Sequence, residues 1–240
     1  LDAADLEATG QRRAACRLPE PDCGTRTVGQ QTGARAYQNE ERGGDKILKG
    51  RKCAMTITGM QSPIERVPLE LLREPLVWFF AEHYRHRDVC KRLLVMARTV
   101  VQEPDALEEI HDFLDYDLAV HVIDEEDDLF PLMRRRCEPD DHIESVLGML
   151  SGEHASDLQL ASAVKSLVAK AMADGRGLAA YADAWAVIEP FCVSQKRHIA
   201  VENAVVLPIA RLRLTASDLR GLGQRLAARR GLPDPFVQAS

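Results

Sequence analysis

The stretch HVIDEEDDLFPLMR, residues 121–134, recurs in altered form as HIAVENAVVLPIAR at residues 198–211. In both copies a glutamate follows the histidine by four residues, a proline follows it by ten and an arginine by thirteen. A second histidine lies upstream of each copy and is preceded by a glutamate: Glu82-His83 and Glu153-His154. Imidazoles and carboxylates in this order are what a metal centre inside a helical bundle requires.

Apolar residues recur at helical spacing from Pro68 almost to the C-terminus, and no alternating β-branched run interrupts them. This pattern predicts helices at about residues 69–100, 105–136, 140–173 and 178–214, followed by a short helix at 215–230. Short connections between long helices favour antiparallel neighbours. We therefore predict an all-α fold: an up-down-up-down antiparallel four-helix bundle with a short C-terminal helix and a disordered N-terminal segment.

The chain divides into three parts by composition. Residues 1–62 are rich in glycine and polar residues and carry no apolar period. We expect them to be disordered, or to be translated sequence upstream of the natural start, since the first methionine is Met55. Residues 63–214 hold the bundle, and residues 215–240 hold the short helix and a tail.

Composition disfavours several classes of function. The net charge of −6 and the scattered basic residues do not indicate nucleic-acid binding. No apolar stretch is long enough to span a membrane. The six cysteines form no CxxC pair and are typical of isolated thiols in a reducing cytoplasm, where we expect the protein to reside. The sequence does not indicate an oligomeric state.

The histidines of the repeated motif lie on the apolar faces of their helices. On a helical wheel at about 100° per residue, each glutamate of a His-x3-Glu pair shares the face of its histidine. Counted from the predicted helix ends, the histidines also lie at one height to within a turn. Six side chains are therefore expected to meet inside the bundle: His83, His121, Glu125, His154, His198 and Glu202.

A single inward histidine is more often a core residue with a hydrogen-bond partner than a metal ligand. Four inward histidines with two inward glutamates are costly to bury unless a cation compensates them. Mixed imidazole and carboxylate ligands suit iron, manganese or zinc better than calcium or magnesium, and six ligands exceed the four of a structural zinc site. The residues therefore indicate two ions, and we predict two iron ions joined by an oxo or hydroxo bridge.

Two further residues are candidates for orienting the ligands. Asp117 lies one turn before His121 on the same face, where its carboxylate could accept a hydrogen bond from an imidazole N–H. His86 lies about 60° from His83 on the wheel, towards the flank of its helix. No general acid or base is recognisable, so we assign no catalytic residue.

These motifs resemble those of the hemerythrin-like, or HHE cation-binding, domain family. The resemblance covers about residues 70–213 and rests on four motifs: Glu82-His83, His121-x3-Glu125-x5-Pro131, Glu153-His154 and His198-x3-Glu202-x5-Pro208. It implies a four-helix bundle around two irons bridged by oxygen and by the two glutamates, with an open position for O2, nitric oxide or peroxide. The oxygen-carrying members have a fifth histidine four residues after the third-helix histidine. Leu158 stands at that position here, although His86 could substitute.

Three functions remain as hypotheses. The first is a non-enzymatic di-iron protein that binds O2, nitric oxide or peroxide for sensing, storage or detoxification. The absence of the fifth histidine weakens the case for an oxygen carrier. The second is an enzyme in which the same centre turns over peroxide or nitric oxide, or oxidises iron. The third is a metal-free helical bundle that serves as an interaction module.

Overall fold

The computed structural model describes residues 63–237, so the predictions for residues 1–62 and for the last three residues lie outside the described part. Between residues 63 and 237 the chain is helical and contains no strand, which confirms the all-α prediction. None of the helices in this range is long and apolar enough to cross a membrane. We label five helices in the described range: α1 (Pro75–Met96), α2 (104–136), α3 (Ile143–Asp174), α4 (184–213) and α5 (Ala216–Arg229).

Three of these helices begin later than predicted, because short 3-10 turns replace their first residues: Leu69–Arg73, Pro139–Asp141 and Leu178–Ala180. At α1 the cause is Pro75, whose ring disfavours the helical conformation at Glu74, where φ is −126° and ψ is 68°. Before α3 the cause is His142, whose φ of 50° lies in the left-handed region and interrupts the helix. The end of α3 agrees with the sequence, since Gly175 stops the helix in the left-handed conformation.

Helices α2 and α4 contain wider, π-helical turns. Two of them, Asp124–Leu129 and Glu202–Val206, end just before Pro131 and Pro208. A proline inside a helix donates no hydrogen bond, and its ring crowds the carbonyl four residues earlier, so a wider turn accommodates it. A third π-helical turn lies at Phe113–Asp117. The remaining parts of the two helices are α-helical: Pro104–Asp112, Leu118–Ile123, Phe130–Arg136, Ala184–Val201 and Leu207–Arg213.

Buried apolar side chains form two clusters. The first core cluster comes from the later part of α1, the start of α2, the later part of α3 and the start of α4, and it includes Leu93, Ile110, Val164 and Ile188. The second core cluster comes from the start of α1, the end of α2, the start of α3, the end of α4 and α5. It includes Phe79, Phe130, Leu147, Val206 and Leu226. On each of the four long helices, buried polar residues separate the two clusters along the chain.

Helix α5 packs on the second core cluster. It opens with a capping box, in which the Asp218 N–H donates to the Thr215 hydroxyl and the Thr215 N–H donates to the Asp218 carboxylate. Gly223 allows α5 to approach the Leu69–Arg73 turn closely, because a Cβ at this position would lie 2.2 Å from the Leu72 carbonyl oxygen. The helix is therefore fixed both at its start and along one face.

Candidate metal centre

The buried polar residues between the two core clusters form a layer, which we call the polar layer. It contains the six residues that the sequence motif singled out, and all of them are buried. Among the residues that the structure describes, their ligand atoms form two groups, and the atoms of each group lie within 4.8 Å of one another. The first ligand group consists of His83, His121, Glu125 and Glu202. The second ligand group consists of Glu125, His154, His198 and Glu202. We call Glu125 and Glu202 the shared glutamates, because both belong to both groups.

Each shared glutamate points its two oxygens in different directions. Oε1 of Glu125 lies 3.4 Å from Nε2 of His121, whereas its Oε2 lies 3.2 Å from Nε2 of His154. Oε2 of Glu202 lies 3.3 Å from Nε2 of His83, whereas its Oε1 lies 3.2 Å from Nε2 of His198. All four imidazoles thus turn the same ring nitrogen, Nε2, towards the shared glutamates.

Several of these inward atoms lack the hydrogen bonds that buried polar groups need. Within residues 63–237, Nε2 of His83 and of His154 and Oε2 of each shared glutamate are buried without a hydrogen-bond partner. Two ligand atoms that each lie about 2.1 Å from one ion are separated by about 3.0 to 3.4 Å. The observed nitrogen–oxygen separations, from 3.2 Å to 3.6 Å, are close to that range. The donor set and its spacing therefore fit two metal ions.

The outward ring nitrogen, Nδ1, of each histidine has its own acceptor. Nδ1 of His121 lies 2.9 Å from a Glu82 oxygen, and Nδ1 of His198 lies 3.3 Å from a Glu153 oxygen. The other two pairs are His154 with Glu126, at 2.6 Å, and His83 with Asn203, at 2.8 Å. An acceptor at Nδ1 fixes the N–H there and leaves the lone pair on Nε2, which is the form that binds metal.

These acceptors repeat the symmetry of the sequence motif. The glutamate before each upstream histidine accepts a hydrogen bond from Nδ1 of the His-x3-Glu histidine on the next long helix. Glu82 accepts from His121, and Glu153 accepts from His198. The residue after each shared glutamate accepts from Nδ1 of the upstream histidine of the other motif copy. Glu126 accepts from His154, and Asn203 accepts from His83. The sequence repeat is therefore also a repeat of contacts, although Asn203 supplies an amide oxygen where Glu126 supplies a carboxylate.

The charges of the centre balance one another across short distances. Burial alone would lower the pKa of His121, but the carboxylates of Glu125 and Glu82 outweigh burial and raise it to about 10. Burial would likewise lower the pKa of His198, but Glu202 raises it to about 9. Burial together with the charge of Glu125 raises the pKa of Glu202. The two buried carboxylates thus need positive charge beside them, and a divalent cation can replace the imidazole protons that supply it.

The structure corrects the role expected for Asp117. Its carboxylate accepts a hydrogen bond from Arg85, at 2.6 Å, and Glu82 occupies Nδ1 of His121 instead. The physical reason is burial: the Asp117 side chain is 31% exposed and pairs with Arg85, whereas the Glu82 side chain is 8% exposed and reaches His121 from α1. The sequence contained a signal for Glu82, because the Glu-His pair recurs, but none for Asn203.

His86 lies beside the centre and outside both ligand groups. It is buried rather than at the helix flank, with its ring 4.4 Å from the His121 ring and edge-on to Phe113. Burial and the charge of His121 hold the pKa of His86 well below its usual range. Leu158, at the position of the fifth histidine, is 39% exposed and points away from the centre, whereas Asp157 is buried and accepts hydrogen bonds from Ser194 and Gln195.

Comparison with known proteins agrees with this geometry. The model of the hemerythrin HHE cation-binding domain matches residues 75–210, which include both ligand groups and exclude α5. A search of curated proteins finds no match to the chain. Because the family model covers more than half of the sequence, the chain belongs to the hemerythrin HHE cation-binding domain family.

Proposed function

We propose that this protein is a non-heme di-iron protein that binds O2, nitric oxide or peroxide, for sensing, storage or detoxification. The observation that carries the proposal is the pair of ligand groups joined by two shared glutamates whose inward atoms lack hydrogen-bond partners. Membership of a cation-binding family supports the same conclusion. Histidine-rich sites with carboxylates suit iron better than calcium or magnesium.

Each residue of the centre has a definable task. Two imidazoles and one oxygen from each shared glutamate would hold each ion, while the acceptors at Nδ1 keep the rings in orientation. The two core clusters exclude bulk water from both sides of the polar layer. When bound, iron with four protein ligands would supply open coordination positions for a small ligand.

We also propose the up-down-up-down topology for the four long helices. It is supported by the composition of the core clusters, in which the start of α1 packs with the end of α2, the start of α3 and the end of α4. The first core cluster has the opposite ends of the same helices. Neighbouring helices that alternate in direction give this distribution.

Anaerobic titration with ferrous iron tests the function directly. We expect two irons per chain after desalting, and a change in the visible absorption spectrum when air, nitric oxide or peroxide is added. The double variant His121→Ala/His198→Ala, which removes one imidazole from each ligand group, should lose both effects. Wild-type protein that takes up no iron would contradict the proposal and favour the metal-free interaction module. A stoichiometry of one would contradict the two-ion centre.

Steady turnover separates the remaining hypothesis, an enzyme, from a binding protein. We expect peroxide or nitric oxide to be consumed in amounts comparable to the iron present, without sustained turnover. Continued consumption that is lost in His154→Ala would instead assign an enzymatic role. A cytoplasmic location stays a prediction from the sequence.

A further inference from the structure

Helix α5 lies outside the residues that match the family model, yet an arginine at its C-terminal end contacts the surroundings of the metal centre. Nη2 of Arg230 donates a hydrogen bond to Oε1 of Glu82, at 3.0 Å. The other oxygen of the same carboxylate, Oε2, accepts from Nδ1 of His121, at 2.9 Å. A continuous chain of contacts therefore links α5 to a residue of the first ligand group.

The guanidinium of Arg230 is held in a defined place. Its Nη2 also lies 2.7 Å from Oδ2 of Asp124, a carboxylate with no solvent exposure. The centre of the guanidinium lies 4.8 Å from the ring of Trp78, on which it packs. The Arg230 side chain is only 13% exposed, so both of its carboxylate contacts are largely shielded from water.

The equivalent contact in the other half of the centre is different. Glu153, which accepts from His198, pairs with Arg197 of α4, whose side chain is 65% exposed. Exposed ion pairs contribute little because water and salt screen them. The two halves of the repeated motif therefore differ in how firmly the carboxylate behind the histidine is fixed.

We propose that Arg230 is a positioning residue for the metal centre. It holds the Glu82 carboxylate so that this group accepts from Nδ1–H of His121 and directs Nε2 of that ring to the first ligand group. This inference rests on the proposed function, since it concerns how an ion is held, and it extends the centre to a helix beyond the family domain. It assigns α5 a role in metal affinity as well as in folding.

Anaerobic titration with ferrous iron against a competing chelator tests this role in the full-length protein. We expect Arg230→Gln to raise the dissociation constant of one of the two irons by roughly 10- to 100-fold, the effect typical of removing a residue that orients a ligand. Arg230→Lys keeps the charge without the planar fork and should recover part of that loss. The matched control, Arg197→Gln, should change neither dissociation constant by more than about threefold.

A double-mutant cycle distinguishes positioning from a merely structural role. If Arg230 acts through Glu82, the variant Arg230→Gln should have little further effect on iron affinity in a Glu82→Gln background. The absorption spectrum of the iron-loaded protein provides a second measurement, which should shift in Arg230→Gln and remain unchanged in Arg197→Gln. Should Arg230→Gln fail to fold, the Arg230→Lys variant completes the same cycle.

The outcomes are separable. The inference would be overturned if the effects of Arg230→Gln and Glu82→Gln on iron affinity add independently. It would also be overturned if Arg230→Gln leaves both the dissociation constants and the spectrum unchanged. In either case, binding of two irons by the wild-type protein would leave the proposed function intact. An equal loss in Arg197→Gln would also overturn it. Absence of iron binding by the wild-type protein would contradict the proposed function itself.

Discussion

Each histidine of the centre uses both ring nitrogens, and the division is the same in all four. Nε2 faces the shared glutamates, and Nδ1 faces an acceptor on another helix. A neutral imidazole carries one N–H, so the acceptor determines which nitrogen keeps a free lone pair. The four acceptors therefore determine the form of the ligands: Glu82, Glu126, Glu153 and Asn203.

The shared glutamates and the histidines should differ in how many ions depend on them. Glu125→Ala removes an oxygen from both ligand groups, so we expect it to reduce iron to less than one ion per chain. His198→Ala affects only the second group and should leave about one ion, because His83, His121 and both glutamates remain. Elemental analysis after anaerobic loading and desalting measures this. Equal iron content in the two variants would contradict a contribution of Glu125 to both ligand groups.

At the residue scale, the sequence predicted which side chains point into the centre. It did not predict all the residues that contact the outward ring nitrogens. Helical spacing was enough to group the six residues of the centre, because they lie near the middle of long helices. On α3 the buried positions run from His154 to Asp157 and Ala161, so Leu158, four residues after His154, falls on the exposed side of the helix. The acceptor of His83, Asn203, depends on which helices are neighbours, and spacing along one helix contains no such information.

The π-helical turns connect the repeated prolines to the shared glutamates. The Phe130 N–H bonds to the carbonyl of Glu125, and the Leu207 N–H bonds to that of Glu202, so each wider turn includes a shared glutamate. A proline distorts a helix near its position, but this effect alone does not place the extra width at the residue whose side chain enters the centre. That placement results from the spacing of six residues between glutamate and proline in both copies.

Two glycines of α5 should respond in opposite ways to alanine. At Gly223 the new Cβ would meet the Leu72 carbonyl oxygen at 2.2 Å, so α5 must move away and we expect a loss of about 1 to 3 kcal/mol in unfolding free energy. At Gly221 the Cβ meets only the end of the Arg225 side chain, at 3.3 Å, and the gain in helix propensity should stabilise by up to about 1 kcal/mol. Urea denaturation measures both. Similar effects of the two variants would contradict the close contact.

The contact between α2 and α5 should contribute less to stability in acid. Arg136 donates two hydrogen bonds to Asp218, at 2.8 Å and 3.0 Å, and with the Thr215 contacts it holds the pKa of that carboxyl well below its usual value. Because the folded-state pKa is the lower one, the stabilisation is present above about pH 4 and is lost as the pH falls through the acid range. Asp218→Asn should therefore flatten the decrease of urea midpoints below about pH 4.

The control for this pH dependence is Asp105→Asn, which changes an exposed carboxylate at the start of α2. That variant should keep the wild-type slope. If Asp218→Asn shows the same slope as wild type, the Arg136 contact does not contribute to acid stability.

Over the whole described molecule, the sequence predicted the class of fold and the order of the helices, since both follow from apolar spacing and from turn residues. It did not predict where α5 docks. The capping sequence at Thr215 indicates that a helix begins there, but its packing depends on Gly223 and on side chains more than 80 residues away, as with Arg136 and Asp218. Contacts of this kind require the packed bundle, so they appear only in three dimensions.

The separation of the apolar interior into two clusters has a consequence for cooperativity. Without a cation, the layer between them contains several buried ligand atoms with no hydrogen-bond partner, so each end of the bundle should open with partial independence. In scanning calorimetry we expect the iron-free protein to give a broad or double heat-absorption peak. Iron loading should merge it into one narrower peak at higher temperature. A single narrow peak in both forms would contradict this, whereas the expected result would mean that the bound ions make the two ends melt as one unit.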